Sequence, residues 1–317
     1  MKIGIIGAGA MGSVYAGLMA DAGHDVWMFD NWAEHIAAIK ANGLKVEGAS
    51  GERVARPNAT TDAAEAGEVE LAIVATKAML TKAAVEAARA MIGQKTAVLS
   101  LQNGLGNVER ISELVDPANV LCGIAGGFGA SMVGPGHVHH NGMEAINIAE
   151  AQGGLTPRIE AVAEAWRSSG FTVGVYDDIW PVVWSKLMAN IAVSATCTLT
   201  GMRVGQIVAN EWAWGLSLDC VREAAACAKA KGIKLLYDDP IAWVHDFTTK
   251  IPNARPSMYL DTQAGRISEI SSIHGGVVAE GERLGVPTPT CAFMVRAVTA
   301  LQEKNRVHGA GSAYSAL

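Results

Sequence analysis

The chain has 317 residues, 31 of them acidic and 25 basic, a net charge of −6 and a hydrophobic fraction of 50%. This acidic balance without a basic cluster argues against nucleic-acid binding, and the size and composition indicate a globular protein of two domains. No uninterrupted apolar run approaches the roughly 20 residues of a spanning helix, so we expect no membrane segment.

The first elements predict a dinucleotide-binding unit. An apolar run at Ile3–Ile6 is typical of a buried parallel strand, and a G-x-G-x-x-G turn and an alanine-rich helix follow it. Such a turn lets backbone approach a pyrophosphate, which also faces the N-terminus of the helix. Five residues of the turn and helix start are therefore predicted to bind the cofactor: Gly7, Gly9, Ala10, Met11 and Gly12. Since the chain has 35 glycines, the alternative is a glycine turn in an ordinary βαβ unit.

The second predicted strand ends in an acid, Asp30. A carboxylate at this position accepts hydrogen bonds from ribose hydroxyls. It would repel the 2′-phosphate of NADP, and residues 31–33 contain no arginine or lysine to offset that repulsion. The sequence therefore predicts NAD rather than NADP.

Alternating strand and helix signals continue through the first half of the chain. We predict helices at 34–41 and 80–92, and strands at Leu71–Ala75, Thr96–Leu101, 120–125 and 145–148. This alternation predicts an α/β fold with an N-terminal Rossmann-type, doubly wound parallel sheet. Ligands of such sheets bind at the carboxyl ends of the strands, where the sequence places the glycine turn, Asp30, Thr76, Lys77, Gln102 and Asn103.

From Asp178 onward, helical periodicity replaces the strand signals. Helices are predicted at about 179–197, 205–232, 238–250, 267–285 and 290–304. We therefore predict a dinucleotide-binding domain at 1–177 and an all-helical domain for substrate binding and dimerisation at 178–317. The small, polar residues 308–317 are expected to be loose.

One predicted helix carries a candidate catalytic lysine. Lys186 and Asn190 share a helix face, and Ser194 lies near the same face. Apolar neighbours would desolvate Lys186 and lower its pKa, which suits a general acid near neutral pH. The alternative is a boundary lysine with a solvated tip.

Several motifs together resemble the ketopantoate reductase (2-dehydropantoate 2-reductase) family over nearly the whole chain. They are the glycine turn, Thr76-Lys77, Leu101–Asn107, Pro135–Val138, Trp184–Leu187, Ser257-Met258 with Asp261 and Glu269, and Gly285–Pro289. The resemblance implies hydride transfer between NAD(H) and a 2-oxo acid/2-hydroxy acid pair, either ketopantoate/pantoate of pantothenate biosynthesis or a related acid. Lys186 matches the lysine that protonates the carbonyl oxygen, and Glu269 matches the acid that holds the hydroxyl and orients that lysine.

The same resemblance implies further site residues. Asn190 and Ser257 match groups that contact the polar ends of the substrate. Asn103 matches a residue near nicotinamide and substrate, and Lys77, after Thr76, matches one beside the cofactor phosphates or ribose.

Two departures from the family pattern bear on specificity. Many members carry an arginine after the second strand for the 2′-phosphate, whereas Asn31 and Trp32 stand here, which again favours NAD. Ketopantoate-active members usually have a second asparagine one turn beyond the first, where this chain has Ser194. This change alters the size and polarity of the predicted pocket and leaves the identity of the acid open.

Two other functions fit the same two-domain plan. One is a 3-hydroxy acid or polyol-type dehydrogenase. The other is a non-catalytic NAD(H) sensor, which would have no need for both Lys186 and Glu269.

The remaining expectations concern metal, compartment and assembly. His137, His139 and His140 have no acid at metal-site spacing along the sequence, so we interpret them as a turn or strand edge and predict no metal. Five scattered cysteines without C-x-x-C spacing, and a strand that begins directly after Lys2, predict a cytoplasmic protein without a leader. The apolar helical half predicts a homodimer.

Overall fold

Residues 1–127, 129–142 and 145–308 are described by the structure, a computed structural model. Their contacts form two units. Unit 1 comprises Met1–Gln102 and Asn107–Ile179, and unit 2 comprises Asn103–Gly106 and the chain from Trp180 onward. The division at 177/178 stays a prediction, and the predicted loose tail lies outside the described residues from 309 onward.

Unit 1 is built on an eight-stranded, mostly parallel sheet. In chain order the strands of unit 1 are β1 Lys2–Ile6, β2 Asp25–Phe29, β3 Leu44–Gly48, β4 Arg53–Ala55, β5 Asn58–Thr60, β6 Leu71–Val74, β7 Ala97–Ser100, β8 Val120–Gly126, β9 Gly129–Gly134, β10 His137–Gly142, β11 Ala145–Glu150 and β12 Val173–Val175. The main sheet has the order β12-β11-β8-β7-β6-β1-β2-β5. Only the β8–β11 pair in it is antiparallel, so the predicted doubly wound fold is confirmed.

Helices cover both faces of this sheet. They are α1 Ala10–Asp21, α2 Ala33–Asn42, α3 Ala63–Ala66, α4 Thr81–Ala87, α5 Asn107–Ser112 and α6 Pro157–Ser168. Ile3 and Ile5 of β1 belong to the core beneath α1, α2 and α6, whereas Ile6 belongs to the core beneath α3, α4 and α5. Because successive strand residues point to opposite faces, this division explains the continuous apolar strands of the sequence.

The helix predicted at 80–92 is shorter in the structure. Short 3₁₀ turns at Ala78–Leu80 and Arg89–Met91 flank α4. Met91 is fully buried and its carbonyl accepts a hydrogen bond from the Val69 amide at 3.0 Å. Tertiary burial therefore overrides the helix propensity of the alanine-rich sequence.

Unit 1 also contains a four-stranded sheet that the sequence analysis missed, in the order β4-β3-β10-β9. Strands β3 and β10 are parallel, and the other two pairs are antiparallel. Pro135 and Gly136 form the turn between β9 and β10. Gly136 has φ +72°, a conformation that favours glycine, and an added Cβ would be in tight contact with Ala38 Cβ at 3.1 Å.

Unit 2 is helical in the residues described, as predicted. Its helices are α7 Trp180–Thr200, α8 Val204–Ala209, α9 Glu211–Ala230, α10 Pro240–Lys250, α11 Ser257–Gln263, α12 Ile270–Leu284 and α13 Pro289–His308. Helix α7 packs against α9, α11, α12 and α13. It is long and apolar enough to cross a membrane, but 83% of its apolar 18-residue stretch is buried inside the protein, which is typical of a core helix.

The single helix predicted at 205–232 is two helices. Asn210 separates α8 from α9, and its Oδ1 accepts a hydrogen bond from the Ala213 amide at 3.0 Å. Asparagine is a favoured N-cap because it satisfies an amide of the first helical turn. The local sequence therefore carried a signal for this break that periodicity did not reveal.

Candidate functional site

The glycine turn joins β1 to α1 and offers an open cradle for an anion. Gly7 has φ +102°, and an added Cβ at Gly12 would lie 2.0 Å from the Gly7 carbonyl oxygen. Gly9 has no atom within 4 Å of its added Cβ, and as the N-cap of α1 it provides no side-chain cap. Open space in front of uncapped helical amides fits a pyrophosphate. The helix begins at Ala10, which Met11 follows.

Asp30 lies directly beside this turn at the end of β2. Its Oδ2 accepts a hydrogen bond from the Ala8 amide at 2.6 Å, and its Oδ1 accepts one from the Trp32 amide at 2.9 Å. These two bonds fix the orientation of the carboxylate. Each carboxylate oxygen has a second lone pair, so the group fits ribose hydroxyls as further donors.

Thr76 and Lys77 follow β6, and Gln102 ties this segment to the end of β7. The Gln102 Nε2 donates to the Thr76 carbonyl and to Thr81 Oγ1, both at 2.8 Å, and its Oε1 accepts from Ser100 Oγ at 3.1 Å. Gln102 is 8% exposed. Gln102 lies at a strand end, as predicted, and its hydrogen bonds hold neighbouring strand ends together, a role that the sequence did not indicate.

Unit 2 brings three predicted residues together. Lys186 Nζ donates to Asn103 Oδ1 at 3.0 Å, and Asn103 Nδ2 donates to Glu269 Oε2 at 3.3 Å. The Asn103 amide therefore bridges the cation and the carboxylate. Glu269 is only 6% exposed and immediately precedes α12.

The segment that carries Asn103 is anchored on α12. The Leu105 amide donates to the Ser272 carbonyl at 2.8 Å. Gly104 has φ +80°, and an added Cβ would lie 2.3 Å from that same carbonyl oxygen. The Asn-Gly-Leu-Gly sequence thus allows a close backbone approach that holds Asn103 beside Glu269.

Burial sets the proton affinity of Lys186. Removal of the ammonium from water lowers its pKa from 10.5 to about 8, while the negative charge of Glu269 opposes this shift. A lysine in this range exchanges protons near neutral pH and can serve as a general acid or base.

The other predicted substrate residues lie on α7 and α11. Asn190 is half-buried and Ser194 is 3% exposed, one and two turns beyond Lys186 on α7. Ser257 is exposed at the first position of α11, a helix that packs against α7.

A residue that the sequence analysis missed supports α7 beside the lysine. The hydroxyl of Tyr237 donates to the Ser185 carbonyl at 3.0 Å, and the Leu236 amide donates to Ser185 Oγ at 2.9 Å. The Tyr237 ring stacks on Trp243, with ring centroids 4.3 Å apart. Nothing in the local sequence pattern around Tyr237 indicates this contact.

The histidine group lies on strand β10, which is paired on both sides, with β3 and β9. The histidines therefore lie in a strand, but the expected turn or strand edge is wrong. The structure adds an acid that the sequence spacing did not reveal, because Glu47 of β3 lies 3.0 Å from His137 Nε2 and 3.6 Å from His139 Nδ1. Among residues 1–127, 129–142 and 145–308, no group of three or more potential ligands is arranged to hold a metal.

Comparisons with known proteins agree in family and fold. The sequence models "Ketopantoate reductase PanE/ApbA" and "Ketopantoate reductase PanE/ApbA C terminal" match residues 3–153 and 178–302. The 2-dehydropantoate 2-reductase of Streptococcus pyogenes is 32% identical over 95% of this chain and 97% of its own length.

Two solved structures show the same fold. A PanE/ApbA family ketopantoate reductase from Ralstonia eutropha has a TM-score of 0.89 and 29% identity, covering 96% of this chain and all of its own. The ternary structure of D-mandelate dehydrogenase with NADH and anilino(oxo)acetate has a TM-score of 0.87 and 29% identity, covering 96% of this chain and 99% of its own.

Proposed function

Because the chain belongs to the ketopantoate reductase family, whose members are oxidoreductases acting on CH–OH groups, we propose that it transfers a hydride between NAD(H) and a 2-oxo acid/2-hydroxy acid pair. The observation that carries the proposal is the Lys186–Asn103–Glu269 arrangement. A desolvated lysine bridged to a buried carboxylate is suited to managing the proton of a carbonyl or hydroxyl oxygen.

Unit 1 holds the dinucleotide in this proposal. The turn amides and the N-terminus of α1 bind the pyrophosphate, and the Asp30 carboxylate accepts hydrogen bonds from the ribose. The bound nicotinamide supplies or accepts the hydride. The residues of unit 1 assigned to the cofactor are those predicted: Gly7, Gly9, Ala10, Met11, Gly12, Asp30, Thr76 and Lys77.

Lys186 handles the proton. In reduction its ammonium donates to the substrate oxygen as negative charge develops there, and in oxidation the neutral amine accepts that proton. Asn103 and Glu269 keep the amine oriented, and Glu269 holds the hydroxyl. Asn190, Ser194 and Ser257 are the proposed contacts for the polar ends of the acid.

Asp30 supports NAD as the cofactor, since residues 31–33 contain no arginine or lysine to offset its charge. Replacement of Asp30 by asparagine removes the charge that repels a 2′-phosphate. It also turns one of the two oxygens that accept from the Ala8 and Trp32 amides into an NH2 donor. We expect the ratio of kcat/KM with NADH to kcat/KM with NADPH to fall about tenfold, because a hydrogen bond to a charged group exceeds one to a neutral group by about 1–1.5 kcal/mol.

This ratio separates charge from structure, since a loosened turn weakens both cofactors together. Asp25→Asn, at the other end of β2, is the matched control and should leave the ratio unchanged. An unchanged ratio in Asp30→Asn would contradict the assignment of NAD preference to this carboxylate.

Turnover of a substrate panel tests the proposed reaction. We expect the purified protein to oxidise NADH with at least one 2-oxo acid, measured as initial rates against ketopantoate, the 2-oxo acid of mandelate and simple aliphatic 2-oxo acids. Ketopantoate turnover would place the enzyme in pantoate formation. A better rate with another acid would mean that Ser194 and its neighbours have redirected the pocket. Activity only with 3-oxo acids or ketoses, or no activity with any of the substrates, would reject the proposal.

We also propose that the protein is a cytoplasmic homodimer and that its domains comprise residues 1–177 and 178–317. The five cysteines are free and buried, which suits a reducing compartment. Unit 2 exposes large apolar side chains that support a dimer surface, with Trp212 81% exposed and Phe293 55% exposed.

A further inference from the structure

A row of buried hydrogen bonds lies behind the glycine turn, and the proposed reaction does not use it. His35 of α2 and Ser13 of α1 are both fully buried. The Gly136 amide donates to His35 Nδ1 at 2.9 Å, His35 Nε2 lies 3.1 Å from Ser13 Oγ, and Ser13 Oγ donates to the Ala8 carbonyl at 3.0 Å.

The chemistry of the groups fixes the direction of this row. The Gly136 N–H can only donate, so His35 Nδ1 is the acceptor and the proton of the neutral imidazole is on Nε2. His35 Nε2–H then donates to Ser13 Oγ, whose own proton goes to the Ala8 carbonyl. Burial lowers the pKa of His35 below its ordinary value while Asp30 opposes that shift, in keeping with a neutral ring.

The row ends on the one residue between Gly7 and Gly9. Ala8 is held at both of its backbone polar atoms, since its carbonyl accepts from Ser13 and its amide donates to Asp30 Oδ2 at 2.6 Å. The peptide groups before and after Ala8, at the start of the glycine turn, are therefore held in place by these hydrogen bonds.

Trp32 contacts both Asp30 and His35. Its amide donates to Asp30 Oδ1 at 2.9 Å, and its ring stacks on His35 with centroids 4.8 Å apart and planes 14° from parallel. His35 thus contacts two of the groups that fix the carboxylate and the turn.

We propose that His35, acting through Ser13, is a positioning residue that holds the Ala8 peptide and Asp30 in the geometry that a dinucleotide needs. A turn that is already ordered loses less conformational freedom when it binds an anion. The row therefore sets cofactor affinity and leaves the chemical step unchanged. This inference rests on the part of the proposed function that assigns a dinucleotide to the glycine turn. It also gives the four-stranded sheet a role, because the Gly136 turn starts the row.

Three substitutions separate the links of the row. Ser13→Ala removes the middle donor to Ala8. His35→Asn keeps an acceptor near the Nδ1 position but loses the donor to Ser13, whereas His35→Gln keeps a donor near the Nε2 position and loses the acceptor. If the link to Ser13 matters, Ser13→Ala and His35→Asn weaken NADH binding about tenfold, the effect of losing one buried hydrogen bond, and His35→Gln retains most of the affinity.

The binding and exchange measurements are made on the full chain without any acid substrate, and kcat is measured separately with the best 2-oxo acid. The dissociation constants of NADH and NADPH are obtained from quenching of protein fluorescence, and hydrogen exchange is followed in the peptide that contains Ala8. We expect both cofactors to weaken in the same proportion, faster exchange at Ala8 in Ser13→Ala and His35→Asn, and an unchanged kcat at saturating NADH. Thermal unfolding of each variant records general loss of stability.

Three results would overturn the inference. The first is reduced thermal stability with unchanged dinucleotide affinity and exchange, which marks the row as structural. The second is an equal loss of affinity in His35→Asn and His35→Gln. The third is a wild-type chain that binds neither dinucleotide. A chain that binds NADH in this pattern yet reduces no 2-oxo acid would reject the proposed reaction and uphold the inference.

Discussion

Replacement of Lys186 by alanine is expected to lower kcat/KM for reduction of the best 2-oxo acid about 10³-fold, while NADH binding stays unchanged. Loss of a positioned general acid costs about 10²- to 10⁴-fold, and the ammonium also stabilises the developing alkoxide charge. Initial rates with saturating NADH, together with the NADH dissociation constant, separate this loss from a loss of cofactor binding. Lys250→Ala, which removes a surface lysine paired with Asp246, is the matched control and should retain full activity.

The pH dependence of the wild type reports the same group. Lys186 has a pKa of about 8, so it is charged below that pH and neutral above it. In the proposed reaction reduction requires the ammonium, so its kcat/KM should fall as the pH rises through about 8. Oxidation of the hydroxy acid requires the neutral amine and should show the opposite trend. Full activity in Lys186→Ala, or the same pH limb in that variant, would show that another group moves the proton.

Two alanine substitutions in the glycine turn should have opposite consequences. In Gly12→Ala the new Cβ would lie 2.0 Å from the Gly7 carbonyl oxygen, so α1 must move away from the turn. Forced overpacking of this kind costs about 1–3 kcal/mol in the free energy of unfolding, which thermal and urea unfolding measure.

In Gly9→Ala the new Cβ meets nothing within 4 Å, and stability should be unchanged. The methyl group instead occupies the space in front of the α1 N-terminus, so we expect NADH binding to weaken about 10- to 100-fold as charge-assisted bonds from the turn to the pyrophosphate are lost. Normal NADH affinity in Gly9→Ala would contradict the placement of the pyrophosphate at this turn. Normal stability in Gly12→Ala would contradict the packing described for α1.

The βαβ unit with its glycine turn could be predicted because its signals are local. The spacing of Gly7, Gly9 and Gly12 and the acid at the end of β2 each lie within one βαβ unit. Helix periodicity likewise placed Lys186 and Asn190 on one face. The four-stranded sheet could not be found this way. Its strands are short and rich in glycine and polar residues, and β3 pairs with β10 from a distant part of the chain.

The meeting of Lys186 with Asn103 and Glu269 lies beyond any local pattern. Lys186 and Asn103 are 83 positions apart, and Asn103 and Glu269 are 166 apart, so no periodicity or spacing connects them. The family resemblance implied their roles, and the structure shows that the Asn103 amide bridges the other two side chains. His35 and Ser13 were not predicted, because in the sequence each is an ordinary helical residue. Their connection depends on the Gly136 turn, which is distant in the chain and contacts His35 only in the fold.

The four residues Asn103–Gly106 have a consequence for recombination among relatives. They group with the helices from Trp180 onward, although Gln102 and Asn107 on either side of them belong to unit 1. A chimera that exchanges only residues 178–317 would inherit Lys186 and Glu269 from one parent and the Asn103 amide from the other. For protein engineering the helical half is therefore a discontinuous module, and a faithful exchange of it must include a short insert taken from the end of β7.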